Sequence, residues 1–537
     1  MKSGNKLIIT YFLSKNLKLL LMLGIFVAFF ILQFYFFRQH TQAFYFGDES
    51  EHLVPGWMMA KYGKKLYIDI STNHQPIPIF VSYVFIKTVH FENLFMLVER
   101  ARQLMFVFSF FAALFFVILF GFIGLVAVVL VEIIKFYFLG YHFLAESLVV
   151  YPIMIITGLI LKNYFEHNKT IINKKRLDLE NILFGFLVFF SAFSLLVLLP
   201  FLTICTFVYL FHQKRRSKII TLLAIFMPTY MLFSLINVKA WFVETIYYVL
   251  KYFIPYESQT STFTGKVSIL LYPFKSFLHL DSIVSRYIAI LMLFALFSSI
   301  ILIRKKKSAA FVLLFMYMML VSLNLRIPKI DVAFYEAFHI LPFVGGLTLT
   351  TLFFVKYAFS ELKYRSYKYY SLIVLFLIAA LLFSSTKWWR EKTDKNTDHY
   401  VQYSELETVS YVLSKLKLQG DTLWVSPLDG MVNIISDIPL ADRQNAHLPW
   451  AYRSPVLRNE FQNMIQHNPP TFILFYNPND EYYLYMQPYL ENEYTNFVKK
   501  DGKPTSLYII NSRISKRSSK QWKDAQDRDF IIPEKVN

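Results

Sequence analysis

The sequence predicts a polytopic α-helical membrane protein with about 11 spans and a C-terminal soluble α/β domain. Several apolar runs are long enough to cross a bilayer, which takes about 20 residues. Of the 537 residues, 56% are hydrophobic and only 17% are charged, which is unusual for a soluble protein. The net charge of +19 comes mostly from Lys and Arg clusters between the apolar runs. Membrane topology therefore explains this charge better than nucleic acid, which is not an expected partner.

Five basic clusters set the predicted orientation in the cell membrane. They lie at residues 2–18, 162–176, 214–218, 304–307 and 356–368. The positive-inside rule places all five in the cytoplasm, so an even number of spans must separate each neighbouring pair. The result is a multi-pass protein with a cytoplasmic N-terminus and an extracytoplasmic C-terminal domain.

The first spans follow from this parity. Leu19–Phe37 is an uncleaved signal-anchor, and the run Leu104–Val131, continuing to about residue 141, predicts two helices that turn near Gly121 and Gly124. Residues 147–161 form the fourth span. The apolar stretch at 76–89 is too short to cross, so we expect a helix in the outer interface, within a first outer loop of about residues 38–102. Further spans are expected at 181–211 (a tight hairpin of two short helices), 219–236, 287–303, 309–324, 338–355 and 371–385, with a long outer loop after residue 236.

The last 150 or so residues alternate between helix and strand patterns. Ser404 and Glu407 fit a capping box, which predicts a helix ending at Gly420. The segments "DTLWVSP" and "TFILFYNP" predict strands, and residues 454–470 predict a helix stopped by Pro469. The predicted domains are therefore a transmembrane domain at 1–385 and an outer α/β domain at 386–537.

Two predicted outer loops each bring a carboxylate and a histidine to the membrane surface. Asp48 and His52 lie four residues apart in "FYFGDESEHL", so one helical face would carry both. His142 and Glu146 lie in "GYHFLAESL". Convergent carboxylates can bind a divalent metal, or one of them can act as a general base. A solvated surface charge is the alternative for an acidic residue of the first outer loop, and a helix N-terminal carboxylate favoured by the macrodipole is the alternative for Glu146; both stay open.

The motif order of the first outer loop resembles that of the GT-C membrane glycosyltransferases. The closest likeness is to the protein O-mannosyltransferases and the bacterial lipid A aminoarabinose transferases. In those families an Asp-Glu pair, a helix ending in Gly, a Leu-Tyr step and a Lys-Pro-Pro-type motif follow the first span. The matching elements here are Asp48-Glu49, Gly63, Leu66-Tyr67 and His74-Gln75-Pro76, and, further on, Arg102 at the second span and Glu146 in the second outer loop.

This resemblance implies a GT-C-like fold and an enzyme, a hexosyl- or pentosyltransferase. Such enzymes take a sugar from a polyprenyl phosphate in the bilayer and pass it, usually with inversion, to a lipid, glycan or protein acceptor. Asp48 would be the general base, with Glu49 as the second catalytic residue. The lipid phosphate leaving group needs positive charge or a divalent metal such as Mg²⁺, Mn²⁺ or Zn²⁺. The implied donor-phosphate or substrate-binding residues are His52, His74, Gln75, Arg102, Arg286 and His339, and the implied metal ligands are Asp48, Glu146 and His142.

The chain also departs from the family pattern. Gln75 or His74 stands for the Lys of Lys-Pro-Pro, Glu146 stands where Asp is more common, and Glu336 and His339 stand where Arg-Tyr is frequent. Donor-phosphate binding and the identity of the sugar therefore stay open.

Two other classes of function remain. One is a catalytically inactive GT-C-like subunit of envelope assembly. The other is a lipid-linked sugar transporter, which the pair Glu132 and Lys135 inside a span would fit, although this pair is as readily a structural ion pair. The family comparison does not single out Glu51, so Glu51→Gln is expected to be nearly neutral.

Overall fold

The computed structural model describes residues 2–41, 47–166, 174–211, 213–258, 283–305, 338–361, 397–427, 429–476, 481–499, 502–526 and 530–533. The chain forms two compact units. The first unit contains Met1–Thr41, Gln103–Thr229 and Ser261–Asp394, and the second contains Gln42–Arg102, Tyr230–Thr260 and Lys395–Asn537. This division differs from the predicted one, because the first outer loop belongs to the same unit as the C-terminal residues.

Helices make up most of the part of the chain that the structure describes. In chain order they are α1 (Lys2–His40), α2 (Asp48–Tyr62), α3 (Pro76–Thr88), α4 (Leu94–Phe120), α5 (Phe122–Lys135), α6 (Ala145–Glu166), α7 (Lys174–Ala192), α8 (Leu199–Phe211), α9 (Arg215–Leu235), α10 (Val238–Phe242), α11 (Ile254–Ser258), α12 (Ile283–Lys305), α13 (Leu341–Glu361), α14 (Thr397–Leu416), α15 (Met431–Ser436), α16 (Pro449–Tyr452), α17 (Pro455–His467), α18 (Glu481–Glu493), α19 (Asn511–Ile514) and α20 (Ser519–Gln526).

Within the described ranges, six helices are long and apolar enough to cross a membrane. They are Leu17–Gln39, Leu94–Phe120, Ala145–Phe165, Arg215–Leu235, Ser285–Arg304 and Phe338–Ser360. Each overlaps a predicted span. The predicted spans at 309–324 and 371–385 lie outside the described residues. The other three predicted spans correspond to α5, α7 and α8, which are not among these six helices, so the count of about 11 stays a prediction.

The turns between the first helices follow local sequence signals. Helix α4 ends at Phe120 and α5 begins at Phe122, so the predicted turn lies at Gly121, whose φ of 63° is costly for other residues. Helix α3 has only 13 residues and begins with Pro76 at its first position, as predicted for a helix too short to span. Residues 174–211 form the expected pair of helices, α7 and α8.

The loop predicted after residue 236 is partly helical, which corrects the sequence-based prediction. Residues 238–258 continue as α10, two π-helical turns (Val243–Tyr247 and Val249–Phe253) and α11. Asn237 caps this segment, because its side-chain oxygen accepts a 2.9 Å hydrogen bond from the backbone N–H of Ala240. The π-helical turns contain Glu244, whose contacts are described below.

The C-terminal residues form a five-stranded mixed sheet of order β1-β2-β4-β3-β5. Its strands are β1 (Leu423–Ser426), β2 (Phe472–Phe475), β3 (Tyr494–Lys499), β4 (Pro504–Ile510) and β5 (Phe530–Pro533). Strands β1 and β2 are the two that the sequence predicts, and they pair in parallel, with Leu423 opposite Phe472. Strands β3, β4 and β5 add antiparallel pairs that were not predicted. Buried aromatic side chains, including Trp424, Phe461 and Tyr482, pack together beside this sheet.

The predicted start and end of α14 are wrong. The helix begins at Thr397, seven residues before Ser404, and ends at Leu416 rather than at Gly420. The Ser-x-x-Glu pattern of Ser404 and Glu407 therefore lies inside the helix. No helix-breaking residue separates this pattern from the start of the helix. Gly420 lies in the following turn at a φ of 82°.

Membrane orientation is the first testable prediction. A reporter fused after Thr386 should be active outside the cytoplasm, and one fused at Lys305 should be active inside, because the positive-inside rule predicts that the basic cluster at 304–307 is cytoplasmic. A cytoplasmic signal from the Thr386 fusion would contradict the eleven-span prediction, and the segment from Pro76 would then be counted as a span.

Candidate active site

The first turn of α2 collects ionisable side chains. Asp48, Glu49 and Glu51 all lie in this turn, where carboxylates are favoured by the helix macrodipole. Glu49, Glu51 and His52 are only 1%, 6% and 2% exposed, whereas Asp48 is partly exposed. The alternative of solvated surface charges is therefore wrong for Glu49 and Glu51.

Glu49 and Arg102 form a buried ion pair. The Arg102 Nη2 atom donates to Glu49 Oε2 at 2.6 Å, and Arg102 Nε lies 3.1 and 3.2 Å from the two carboxylate oxygens. Both side chains are almost completely buried. The pair compensates both charges and holds the start of α2 against α4. The sequence assigns these residues to catalysis and to phosphate binding, and those roles stay predictions.

Glu51 and His74 form a second acid–base pair in this unit. The Glu51 carboxylate bonds to His74 Nε2, and the His52 ring packs edge-on against the His74 ring at a centroid distance of 4.4 Å. The His74 carbonyl accepts a 2.8 Å hydrogen bond from the Tyr67 hydroxyl. We therefore no longer expect Glu51→Gln to be nearly neutral, because Glu51 is buried and bonded to His74, a predicted site residue.

Gln75 begins α3 from the N-cap position. Its side chain is 4% exposed, and its Oε1 accepts a 3.2 Å hydrogen bond from Trp241 Nε1. Its Nε2 is buried and has no hydrogen-bond partner in the part of the chain that the structure describes. A buried donor without a partner is costly, so this amide is suited to a ligand oxygen.

The loop before α3, which contains Ser71, is bonded to residues that the sequence analysis missed. Ser71 Oγ donates to Glu244 Oε2 at 2.7 Å, and Arg443 Nη1 donates to Glu244 Oε1 at 2.6 Å. Arg443 also donates from Nε to Glu460 Oε2 at 2.8 Å. Burial raises the pKa of Glu244, although Arg443 and Ser71 favour its anion. No short-range motif reveals this network, because its members come from four separate segments.

The first unit contains another acid–base pair. His339 Nδ1 lies 3.1 Å from Glu146 Oε1, with Glu146 3% exposed and His339 partly exposed. The structure thus brings together a predicted metal ligand and a predicted substrate-binding residue. His142 is buried three residues before α6, and Arg286 is exposed on α12.

Glu132 and Lys135 belong to a buried polar network in the first unit. Lys135 Nζ lies 2.8 Å from Glu132 Oε1 and donates to Ser109 Oγ at 2.6 Å. The hydroxyls of Tyr141 and Tyr151 donate to the two carboxylate oxygens of Glu132. Every charged group of the pair therefore has hydrogen-bond partners, as a structural ion pair requires. Tyr141 lies next to His142, so the network also holds the loop before α6.

The metal ion stays a prediction from the sequence. Across the described ranges, no group of three or more His, Cys, Asp or Glu side chains is placed to hold one. Asp48 belongs to the second unit and Glu146 and His142 to the first. The predicted convergence of Asp48 and Glu146 on one cavity is likewise still a prediction.

A buried carboxyl group outside this site provides a second testable prediction, on pH. Asp429 follows β1, and its Oδ1 is buried without a hydrogen-bond partner among the described residues. Burial raises the pKa of Asp429 from 3.8 to about 7. The folded protein therefore binds the proton of the Asp429 carboxyl more tightly than the unfolded chain does. This proton binding stabilises the folded state fully below about pH 4, and the contribution is lost as the pH rises through about 7.

We therefore expect Asp429→Asn to stabilise the full chain at pH 8, by at most about 4 kcal/mol, and to have little effect at pH 4. Thermal unfolding of the detergent-solubilised protein at the two pH values measures this. Asp437→Asn is the control, and it should destabilise rather than stabilise the protein at pH 8. Burial raises the pKa of Asp437, but the bonds from Lys417 and Lys61 outweigh burial and lower it. Equal effects of Asp429→Asn at both pH values would contradict the assignment.

No protein-family model matches the chain, and no curated protein matches its sequence. Two crystal structures with similarity to it are of ArnT from Cupriavidus metallidurans, one bound to undecaprenyl phosphate and one in the apo state. The first has a TM-score of 0.47 at 10% identity and covers 92% of this chain and 97% of that one. The second has a TM-score of 0.44 at 10% identity, with coverages of 93% and 98%.

At TM-scores below 0.5, this similarity does not assign an activity to the chain. The activity has to be inferred from the chain's own residues.

Proposed function

We propose that this chain is an integral membrane glycosyltransferase that moves a sugar from a polyprenyl-phosphate donor to an acceptor on the outer face of the membrane. The observation that carries the proposal is the first turn of α2. Directly after a membrane-length helix it bears three carboxylates, two of them buried and engaged by basic side chains. Buried charge at a membrane surface is costly, and a chemical role accounts for its presence.

Asp48 is the proposed general base. A base has to reach a hydroxyl group that arrives from water. Glu49 and Glu51 are buried against Arg102 and His74, whereas Asp48 is partly exposed. This difference favours Asp48 among the three carboxylates. Its anion would also stabilise the positive charge that develops on the sugar ring in the transition state.

His74 and Gln75 are the proposed groups for the leaving phosphate. His74 Nε2 bonds to the Glu51 carboxylate, which fixes the orientation of the imidazole ring. Gln75 offers a buried amide N–H without a protein partner in the described part of the chain. Both residues lie at the N-terminal end of α3, where the helix dipole favours an anion. The apolar α3, with its exposed Val84, is suited to contact with the isoprenoid tail.

Arg286, His339, Glu146 and His142 belong to the first unit. The role of Arg286 and His339 at the donor phosphate, and of Glu146 and His142 as metal ligands, is part of this proposal. A divalent metal, when bound, would neutralise charge on the phosphate. Metal analysis of the purified protein and of Glu146→Gln tests this part separately. An equal metal content in the two proteins would exclude Glu146 as a ligand.

The experiment for the function compares cell-envelope glycans, by mass spectrometry, in cells with the protein, without it, and with Asp48→Asn in its place. We expect one glycan to lose a sugar both in the deletion and in the Asp48→Asn strain. Unchanged glycans in the deletion strain would contradict the proposal. Full complementation by Asp48→Asn would instead identify an inactive subunit of envelope assembly.

A further inference from the structure

The segment Arg443–Asn445 is bonded to the loop before α3 and to α2. These are the two parts of the chain that carry the proposed site in the second unit. On one side it forms a backbone bridge with Ser71. The N–H of Ser71 donates to the Arg443 carbonyl at 2.5 Å, and the N–H of Asn445 donates to the Ser71 carbonyl at 3.3 Å. Ser71 lies three residues before His74, so this bridge fixes the start of the loop that carries His74 and Gln75.

On the other side, Asn445 bonds to α2. Its Nδ2 donates to the backbone carbonyl of Glu51 at 3.1 Å. In a regular helix this carbonyl would accept from the residue four positions later, but that residue is Pro55, which has no N–H. Asn445 therefore supplies the donor that Pro55 removes, at the residue whose carboxylate bonds to His74.

Side chains hold the segment itself in place. Arg443 bonds to Glu244 and Glu460, and Glu244 bonds in turn to Ser71 Oγ. The Gln444 side chain donates to the Leu457 carbonyl at 3.1 Å. Since Gln444 and Asn445 are buried and these contacts join four separate segments, small shifts of the segment are resisted.

We propose that Arg443–Asn445 is a positioning element that sets the register between Glu51 on α2 and His74 in the following loop. Its effect on catalysis rests on the proposed function. The contact between Glu51 and His74 joins residues that are 23 positions apart and on different elements. Without the common support, each element could shift separately. A shift of about 1 Å at a phosphate-binding group is enough to cost a large part of the rate.

The first test combines Asn445→Ala with Pro55→Ala. Asn445→Ala leaves the Glu51 carbonyl without its donor, and we expect a lower melting temperature and about a tenfold lower kcat for sugar transfer. Adding Pro55→Ala restores an N–H within α2. We expect this double variant to recover the melting temperature but not kcat, because α2 is still not bonded to the segment. Recovery of both would show that Asn445 only satisfies a carbonyl, and it would overturn the proposal.

The second test does not depend on activity. Hydrogen exchange of the backbone amides at residues 70–76, followed by mass spectrometry on the full chain in detergent, should become faster in Asn445→Ala and stay fast in the double variant. Asp437→Asn is the matched control, because Asp437 bonds to Lys61 at the opposite end of α2. It should leave exchange at 70–76 unchanged.

These two readouts separate the inference from the function on which it rests. Faster exchange in Asn445→Ala without any transferase activity in the wild-type protein would support the positioning element and contradict the proposed function. Unchanged exchange at residues 70–76 in Asn445→Ala would overturn the positioning element, whatever the activity.

Discussion

Asp48→Asn is expected to lower the rate of sugar transfer by about 10²–10⁴-fold, the usual contribution of a general base. The change keeps the size of the side chain and most of its hydrogen-bonding capacity, but it removes the negative charge and the ability to accept a proton. Asp48 is partly exposed at the start of α2, so folding and expression should not change. The measurement is transfer from a defined polyprenyl-phosphate sugar by the purified protein in lipid discs.

Asp69→Asn is the matched control for this prediction. Asp69 lies in the same loop, and its carboxylate accepts a 2.9 Å hydrogen bond from the Lys65 backbone N–H in an exposed position. The same chemical change there should leave transfer within about a factor of two, since surface substitutions have small effects. Normal transfer by Asp48→Asn would exclude Asp48 as the base. A comparable loss in both variants would point to the charge of the whole loop instead.

Glu51→Gln belongs with the active variants rather than with the controls. The Glu51 carboxylate bonds to His74 Nε2, so Glu51→Gln replaces a charged hydrogen-bond partner of a proposed phosphate-binding residue by a neutral amide. We expect lower transfer from Glu51→Gln. The sequence could not reveal this contact, because it depends on a turn between two elements and not on helical spacing.

Local signals explain which parts of the fold were predictable. The helix break at Gly121 needs a positive φ, and the short α3 follows from its length and its first proline. The capping box at Ser404 failed because such a pattern can also occur inside a helix. Strands β3 to β5 were missed because their pairing partners, rather than their own periodicity, define them.

The site was predictable only in part, for a similar reason. The motif order identified Asp48, Glu49 and His74, which all lie in the predicted first outer loop. The supporting contacts are long-range: Asn445 and Glu51 are separated by 394 positions, and nothing near Asn445 indicates its partner. Burial also depends on the folded chain, and it is burial that distinguishes Glu49 and Glu51 from solvated carboxylates.

Arg102→Met is expected to give the largest loss of stability, on the order of 3–5 kcal/mol. The substitution removes one partner of a buried ion pair and leaves the Glu49 carboxylate without a compensating charge. The double variant Glu49→Gln with Arg102→Met removes both charges, and we expect it to recover most of the stability. Thermal denaturation followed by size-exclusion chromatography, at one fixed heating rate, provides the measurement. An Arg102→Met protein as stable as the wild type would show that the pair is not formed.

The same double variant decides the role of Glu49 in the proposed reaction. If Glu49 only holds the first turn of α2 against α4, the stable double variant should keep transfer within about tenfold of the wild type. If Glu49 acts on the substrate, the double variant should be folded but lose transfer as severely as Asp48→Asn does. The bidentate contact with Arg102, at 2.6 to 3.2 Å, favours the first outcome, because both carboxylate oxygens already accept hydrogen bonds from the protein.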